Sequence, residues 1–307
     1  MALATQENQQ VLTPEDMAAQ AMDPDFWREV APNFTVEGDM DPYVLEFTAE
    51  EQEKLVAKMD KEAYVHLSQP GLKSSLEDMC DLLAVMISKN LPPVFAFAYD
   101  EFWHIHLQVR GLVKTVLGDD FAMLPDFWAW RVEPGESGWK PHRDKVHGSL
   151  FPNGKPKSIT LWVPLSVSYP LNGCMYILPA DRDSLYYKDG VNGFGGNLPD
   201  LRALPAQAGD VLAWTQRVFH WGSHSADDHD LPPRQSVAFE YQRSDVQAFN
   251  SPLLDPDTMP DFKSRMALIA KQVLQYTHMY DFTPELVKMA QTILDSLGLP
   301  EETGKSA

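Results

Sequence analysis

The stretch "AGDVLAWTQRVFHWGSHS", residues 208–225, decides the fold class. It reads as a strand from Asp210, a tight bend at Gln216-Arg217, and a second strand carrying His220. Similar short apolar or alternating runs surround it: "DFWAWRV" (126–132), "SITLWVPLSV" (158–167), "CMYIL" (174–178) and "RQSVAFEYQ" (234–242). Gly, Pro and Asn separate them, with turn dipeptides at Asn153-Gly154 and Asn172-Gly173. Many short strands without interleaved helices predict a sandwich or barrel, not a parallel α/β sheet.

The flanks change period. "TAEEQEKLVAKM" opens at Thr48 with Glu51 three residues on, a capping box. In "SSLEDMCDLLAVMISKN" the residues Leu76, Met79, Cys80, Leu83 and Ile87 share one helical face. "DEFWHIHLQVRGLVKTVLG" has a cap at Asp100 and a terminator at Gly118. "TPELVKMAQTILDSLG" starts with Thr283 as cap and Pro284 at the first helical position. A weaker amphipathic pattern covers 261–276, and the tail "EETGKSA" is expected to fray. The expected layout is one domain, with a helical part over 1–120, a strand core with the site over 121–245, and a helical extension over 246–307. The terminal helices are expected either to shape a pocket or to form a homodimer contact.

The chain has 307 residues, 44% of them hydrophobic, which is enough for a sizeable core. A formal net charge of −19 repels phosphate backbones and anionic lipid, so nucleic acid and membrane surfaces are poor partners. Cys80 and Cys174 are the only cysteines, and their spacing suits neither a disulfide framework nor a metal knuckle. No apolar run is long enough to span a membrane, and "MALATQENQQVLTPED" lacks the basic start and apolar run of a signal peptide. A cytoplasmic location is expected.

The chemistry sits in "WKPHRDKVHG", residues 139–148. A non-haem iron site needs two neutral imidazoles and one carboxylate, with other positions left open. His142 and Asp144 are two apart, so on a strand they would share a face. His147 is out of phase and reads as loop. A His-x-Asp pair alone fits a solvated loop better than a metal site. Downstream, His220 and His224 are candidate third ligands, and Arg234 with Ser236 could face a carboxylate from one strand face. His104 and His106 lie two apart on a helix, do not face each other, and read as structural. The Gly-rich "DGVNGFGGN" (189–197) lacks the Lys and helix of a phosphate loop and reads as a flexible crossover.

Five stretches, in order, resemble the phytanoyl-CoA dioxygenase-like family of Fe(II)- and 2-oxoglutarate-dependent oxygenases. They are "VKTVLGDDF", "PHRD", "SITLWVPLSVSYPLNGCMYILPADRD", "PAQAGDVLAWTQRVFHWGSHS" and "PRQSVAFEYQ", covering roughly 114–242. The chain departs from the family pattern at Ala180-Asp181, where Gly-Ser is usual. The resemblance implies a double-stranded β-helix, a jelly-roll barrel, with the metal in one mouth. It implies His142, Asp144 and His220 as metal ligands, and Arg234 with Ser236 as the anchor of the far carboxylate of 2-oxoglutarate. His220 is favoured over His224 because it falls ten residues after Asp210 and sits in "HWGS". Thr160 and Trp162 are further candidates for 2-oxoglutarate contact, beside a plain core-filling reading; Trp130 and Asn172 are less certain. Lys140 or Arg143 could meet an anionic substrate, although exposed basic residues are usually solvated.

The resemblance further implies Fe(II), 2-oxoglutarate and O2 as cofactor and cosubstrates. The reaction is oxidation of a small-molecule C–H bond, coupled to decarboxylation to succinate and CO2. Because Asp144 supplies a carboxylate, hydroxylation or a related oxidation is expected rather than halogenation. Ligand protonation should weaken metal binding as pH falls through the histidine range. A cupin-type enzyme without 2-oxoglutarate and a silent binding scaffold are the competing readings.

Overall fold

The computed structural model describes residues 12–39 and 43–299. The tail "EETGKSA" lies outside the described residues. By its internal contacts the chain divides into two units, Met1–Val36 with Pro260–Ala307, and Glu37–Met259.

The first unit is helical: α1 (Pro14–Ala21), α2 (Pro24–Val30), and then α6 (Phe262–Gln275) and α7 (Pro284–Ser296) from the other end of the chain. Its local rules are simple. Thr283 caps α7 by accepting from the Leu286 amide at 3.2 Å, and Pro284 follows it. Leu286, Met289, Ala290, Ile293 and Leu294 form the buried stripe. Trp27 is buried, and its indole donates to the Ala21 carbonyl at 2.8 Å.

The second unit holds the strands. α3 (Ala49–Glu62) starts with the predicted reciprocal cap between Thr48 and Glu51. β1 (Tyr64–Leu67), α4 (Leu76–Ser88) and α5 (Asp100–Leu117) follow. α4 buries Met79, Leu82, Leu83 and Met86, while Ile87 is 43% exposed, so its apolar stripe is turned from the predicted one. Asp100 is not the cap of α5 but its first residue. It is buried and accepts from the Glu37 and Gly38 amides at 3.1 and 2.6 Å.

From β2 (Phe121–Val132) onward the chain is strand-rich: β3 (Ser158–Pro164), β4 (Met175–Leu178), β5 (Arg202–Leu204), β6 (Val211–Thr215), β7 (Phe219–Gly222) and β8 (Arg234–Arg243). They form a five-stranded sheet of order β1-β6-β3-β8-β2 and a three-stranded sheet of order β5-β4-β7. Every pairing is antiparallel. Pro125, inside β2, falls in a register shift between Met123 and Phe127, where a residue without an amide hydrogen does least harm.

Register fixes which side chains share a face. In the larger sheet Trp214 stands opposite Thr160, Thr160 opposite Glu240, Trp162 opposite Ala238, and Trp130 opposite Ser236. This face meets the smaller sheet over an apolar cluster that includes Trp162, Leu212, Trp214 and Ala238 with Met175 and Ile177. The other face carries Phe127, Phe239 and Tyr241. There Phe97 packs on Phe127 and Phe239, and His106 bonds the Tyr241 hydroxyl at 2.8 Å. Burial lowers the His106 ring to about 3, so it is a neutral structural group.

Candidate metal centre

The His-x-Asp pair is not on a strand. Residues 139–148 run irregularly, and His142 alone touches a sheet, through one antiparallel bridge to His220. Their amides and carbonyls exchange two hydrogen bonds of 3.0 Å each. This bridge, rather than strand alternation, brings the two imidazoles together, with ring centres 4.5 Å apart.

Both rings are oriented from behind. His142 Nδ1 lies 2.7 Å from the Lys140 carbonyl, and His220 Nδ1 lies 3.1 Å from the Val218 carbonyl. A ring N–H spent on a carbonyl leaves Nε2 as a lone-pair donor. The two Nε2 atoms converge on Asp144 Oδ1, at 3.1 and 3.4 Å. The other carboxylate oxygen, Oδ2, accepts from Thr160 Oγ1 at 2.7 Å and Trp214 Nε1 at 3.0 Å. One oxygen is therefore held by the protein and the other is offered. The three ligand atoms lie within 4.8 Å of one another.

Electrostatics agree with a cation site. Burial disfavours the Asp144 charge, but the His220 and His142 rings and the Thr160 hydroxyl outweigh it and hold the carboxyl well below the usual range. Burial lowers His220 to about 4, so this ring is neutral near pH 7. His142 is raised, because Asp144 outweighs its burial. Two nitrogens and one oxygen is a donor set that suits a first-row divalent metal with open positions.

The remaining candidates divide. Arg234 is 2% exposed, with its guanidinium carbon 5.8 Å from the Trp162 ring. It occupies a slot that glycines keep open: a Cβ on Gly138 or Gly222 would come within 2.9 or 3.1 Å of Nη2. Ser236 is buried, and its hydroxyl has no hydrogen-bond partner among the described residues. Thr160 bonds Asp144, so its hydroxyl is already engaged with a ligand residue. Trp130 packs edge-on against Trp139, which in turn packs on His142. Asn172 is buried and closes its own turn, accepting from the Tyr169 amide and donating to the Val167 carbonyl. His224 stays outside the cluster; it is exposed and pairs with Ser137 Oγ at 2.7 Å.

Arg143 corrects an expectation. It is buried, ion-paired to Asp183 at 2.7 Å, and donates to the Arg217 and Gly193 carbonyls at 2.7 and 2.9 Å. Arg217 binds the carbonyls of Tyr186, Leu185, Lys188 and Val146. The Gly-rich crossover is therefore tied to the residue between the two ligands. Nothing local in the sequence marks this pairing, because Asp183 lies 40 residues from Arg143.

Sequence reasoning also missed Trp214, Gln216, Lys145 and Glu240. Gln216 Nε2 donates to Glu240 Oε2 and lies 3.4 Å from Thr160 Oγ1, and Lys145 Nζ stands 3.3 Å from the same Glu240 oxygen. Burial raises the Glu240 carboxyl, the charges of Asp126 and Asp144 add to the rise, and the Lys145 ammonium beside it opposes it and favours the ionised form.

Two histidines and an aspartate gathered beside antiparallel sheets are the donor set that non-haem metal sites use. The phytanoyl-CoA dioxygenase (PhyH) family matches residues 11–228, and the chain belongs to that family. The match takes in all three cluster residues and ends before Arg234. No curated protein matches the sequence. Among solved structures the fold is similar to SnoN, a non-heme alpha-ketoglutarate-dependent epimerase from nogalamycin biosynthesis, with TM-score 0.52 and 17% identity over 64% of this chain and 85% of that one. SnoK, a carbocyclase from the same biosynthesis, gives TM-score 0.50 and 16% identity over 65% and 87%. ThoJ, a non-heme monooxygenase, gives 0.52 and 15% over 78% and 99%.

Proposed function

We propose that this chain is an Fe(II)- and 2-oxoglutarate-dependent oxygenase that oxidises a C–H bond of a small molecule. The observation that carries the reading is the convergence of His142 Nε2 and His220 Nε2 on Asp144 Oδ1, with each outer ring nitrogen tied to a carbonyl. The strands around it would form the family's jelly-roll barrel. His142, Asp144 and His220 would hold the iron. Arg234, in its glycine slot, would pair with the distal carboxylate of 2-oxoglutarate, and the unpartnered Ser236 hydroxyl would donate to it. When bound, the iron supplies the activation of dioxygen that no side chain can perform.

The protein's own share is placement. Thr160 and Trp214 hold one oxygen of Asp144 so that the other faces the two rings. Trp139 packs on His142 and on Trp130, and Trp162 lies against the Arg234 guanidinium, so aromatic surface borders the cluster. A carboxylate ligand leaves no position for halide, which favours hydroxylation or a related oxidation.

The test is an anaerobic titration with Fe(II) and 2-oxoglutarate, followed through the weak visible charge-transfer band of the chelate. The expected result is a band that needs both components and is absent in Asp144→Ala. Iron binding without a band would favour a metal enzyme that does not use 2-oxoglutarate. No iron binding would leave a silent scaffold.

A further inference from the structure

The site-bearing face of β8 carries Arg234, Ser236, Ala238, Glu240 and Gln242 in alternation. Thr160, which bonds the ligand residue Asp144, stands directly opposite Glu240. Arg234 lies six residues back, roughly 20 Å along the strand at 3.3 Å per residue. The two ends of this row differ in access. Arg234 and Ser236 are sealed, whereas the side chains of Lys145 and Glu240 keep 24% and 14% exposure although protein surrounds them.

The Glu240 end is polar, and an apolar stretch around Trp162, Leu212 and Ala238 separates it from Arg234. Lys145 stands at 3.3 Å, and Gln216 donates to the same carboxylate oxygen. Asp126, held by Asn250 at 2.9 Å, adds a second negative charge that both Glu240 and Lys145 feel. Gln216 Oε1 is fully buried and has no hydrogen-bond partner among the described residues. Taking such groups out of water is costly, and the neighbouring Trp162, Leu212 and Ala238 show that this face packs well without them. Polar groups kept at such a cost beside a metal site point to a ligand.

We infer that Glu240, backed by Gln216 and Asp126, is the head-group subsite for the primary substrate, and that the head group donates hydrogen bonds, as an ammonium or a hydroxyl does. The inference rests on the oxygenase reading, in which 2-oxoglutarate occupies the Arg234 side. Glu240 and Gln216 Oε1 both present acceptors. The one cation, Lys145, is already engaged by Glu240, so a carboxylate or phosphate head group would meet two carboxylates. A subsite of this kind selects amines and polyols over acyl-CoA esters and fatty acids.

The experiment uses the full chain with Fe(II) and 2-oxoglutarate. Primary amines, polyols, carboxylates and acyl-CoA thioesters are screened for succinate release above the probe-free rate. Binding of each hit is then measured by calorimetry on the Ni(II)-loaded protein with 2-oxoglutarate. Stimulation is expected from amines or polyols alone. Glu240→Leu should weaken their binding about tenfold or more, the loss of a hydrogen bond to a charged group. Glu240→Gln should weaken amines likewise but spare polyols, which separates the two donors and serves if the leucine variant fails to fold. Stimulation by carboxylates or thioesters, silence from amines and polyols, or unchanged binding in both Glu240 variants would overturn the subsite. Absence of 2-oxoglutarate binding in the unmutated chain would instead remove the oxygenase reading beneath it.

Discussion

The two units of this chain spend their buried volume differently. In the helical unit, Arg265 is the only buried charged side chain among the described residues, and its Nε donates to the Pro260 carbonyl. Caps and apolar stripes account for the rest. The strand-rich unit buries Asp100, Asp126, Arg143, Asp183, Asp210, Arg217 and Arg234. Buried ion pairs are weak contributors to stability compared with apolar packing of equal volume. A unit that keeps so many buried charges gives up apolar packing at those positions.

The strongest way to break that contrast is to remove a ligand. His142→Ala, Asp144→Ala and His220→Ala should each abolish iron-dependent 2-oxoglutarate turnover, whereas His224→Ala should retain it. A dead His224 variant beside an active His220 variant would move the third ligand. Next comes Arg234→Ala. Truncating one partner of a buried charge pair costs about 2–5 kcal/mol, so 2-oxoglutarate affinity should fall at least about thirtyfold, with iron binding retained. An unchanged affinity would detach Arg234 from the cosubstrate.

Thr160→Val and Trp214→Phe remove the donors to Asp144 Oδ2. Each should weaken Co(II) or Fe(II) binding by about 10–100-fold, the usual loss for partners behind a ligand, and Thr160→Ser should restore it. Wild-type affinity in Trp214→Phe would show that the indole only fills space.

The contrast can be sharpened with acid. His106 has its folded value lowered to about 3, below its ordinary 6.5, so the unfolded chain takes up the proton first. Stability of the strand-rich unit should fall by about 1.4 kcal/mol per pH unit below about 6.5 from this group alone. Denaturant titrations of His106→Gln should show a shallower acid slope. The smallest effect belongs to the helical unit: Thr283→Ala removes a cap worth about 1 kcal/mol and should leave metal binding untouched.

Legibility in the sequence followed the range of the signal rather than the division into units. The Thr48 and Thr283 caps and the α7 stripe are encoded within four residues, and they were readable. β3, β6 and β8 were readable because alternation and turn residues are local signals. The ordered motifs led to the expectation that His142, Asp144 and His220 come together, and they do, but the way they meet was not legible. Alternation along a strand was the expected cause, and a backbone bridge between residues 142 and 220 is the observed one. Arg143 and Glu240 were misread or missed for one reason. Their meaning lies in partners 40 or more residues away in one case, Asp183, and 95 residues away in the other, Lys145. Pattern reading sees neither distance.

Gly138 and Gly222 bring no functional group, yet each gives up the space in which the Arg234 guanidinium lies. Adding one methyl at either position would press on the cation without touching any reactive atom. The tolerance of this site to mutation is thus set partly by positions with nothing to donate, accept or ligate. A search for replaceable residues guided by chemistry alone would choose them first, and the Arg234 guanidinium would have to give way.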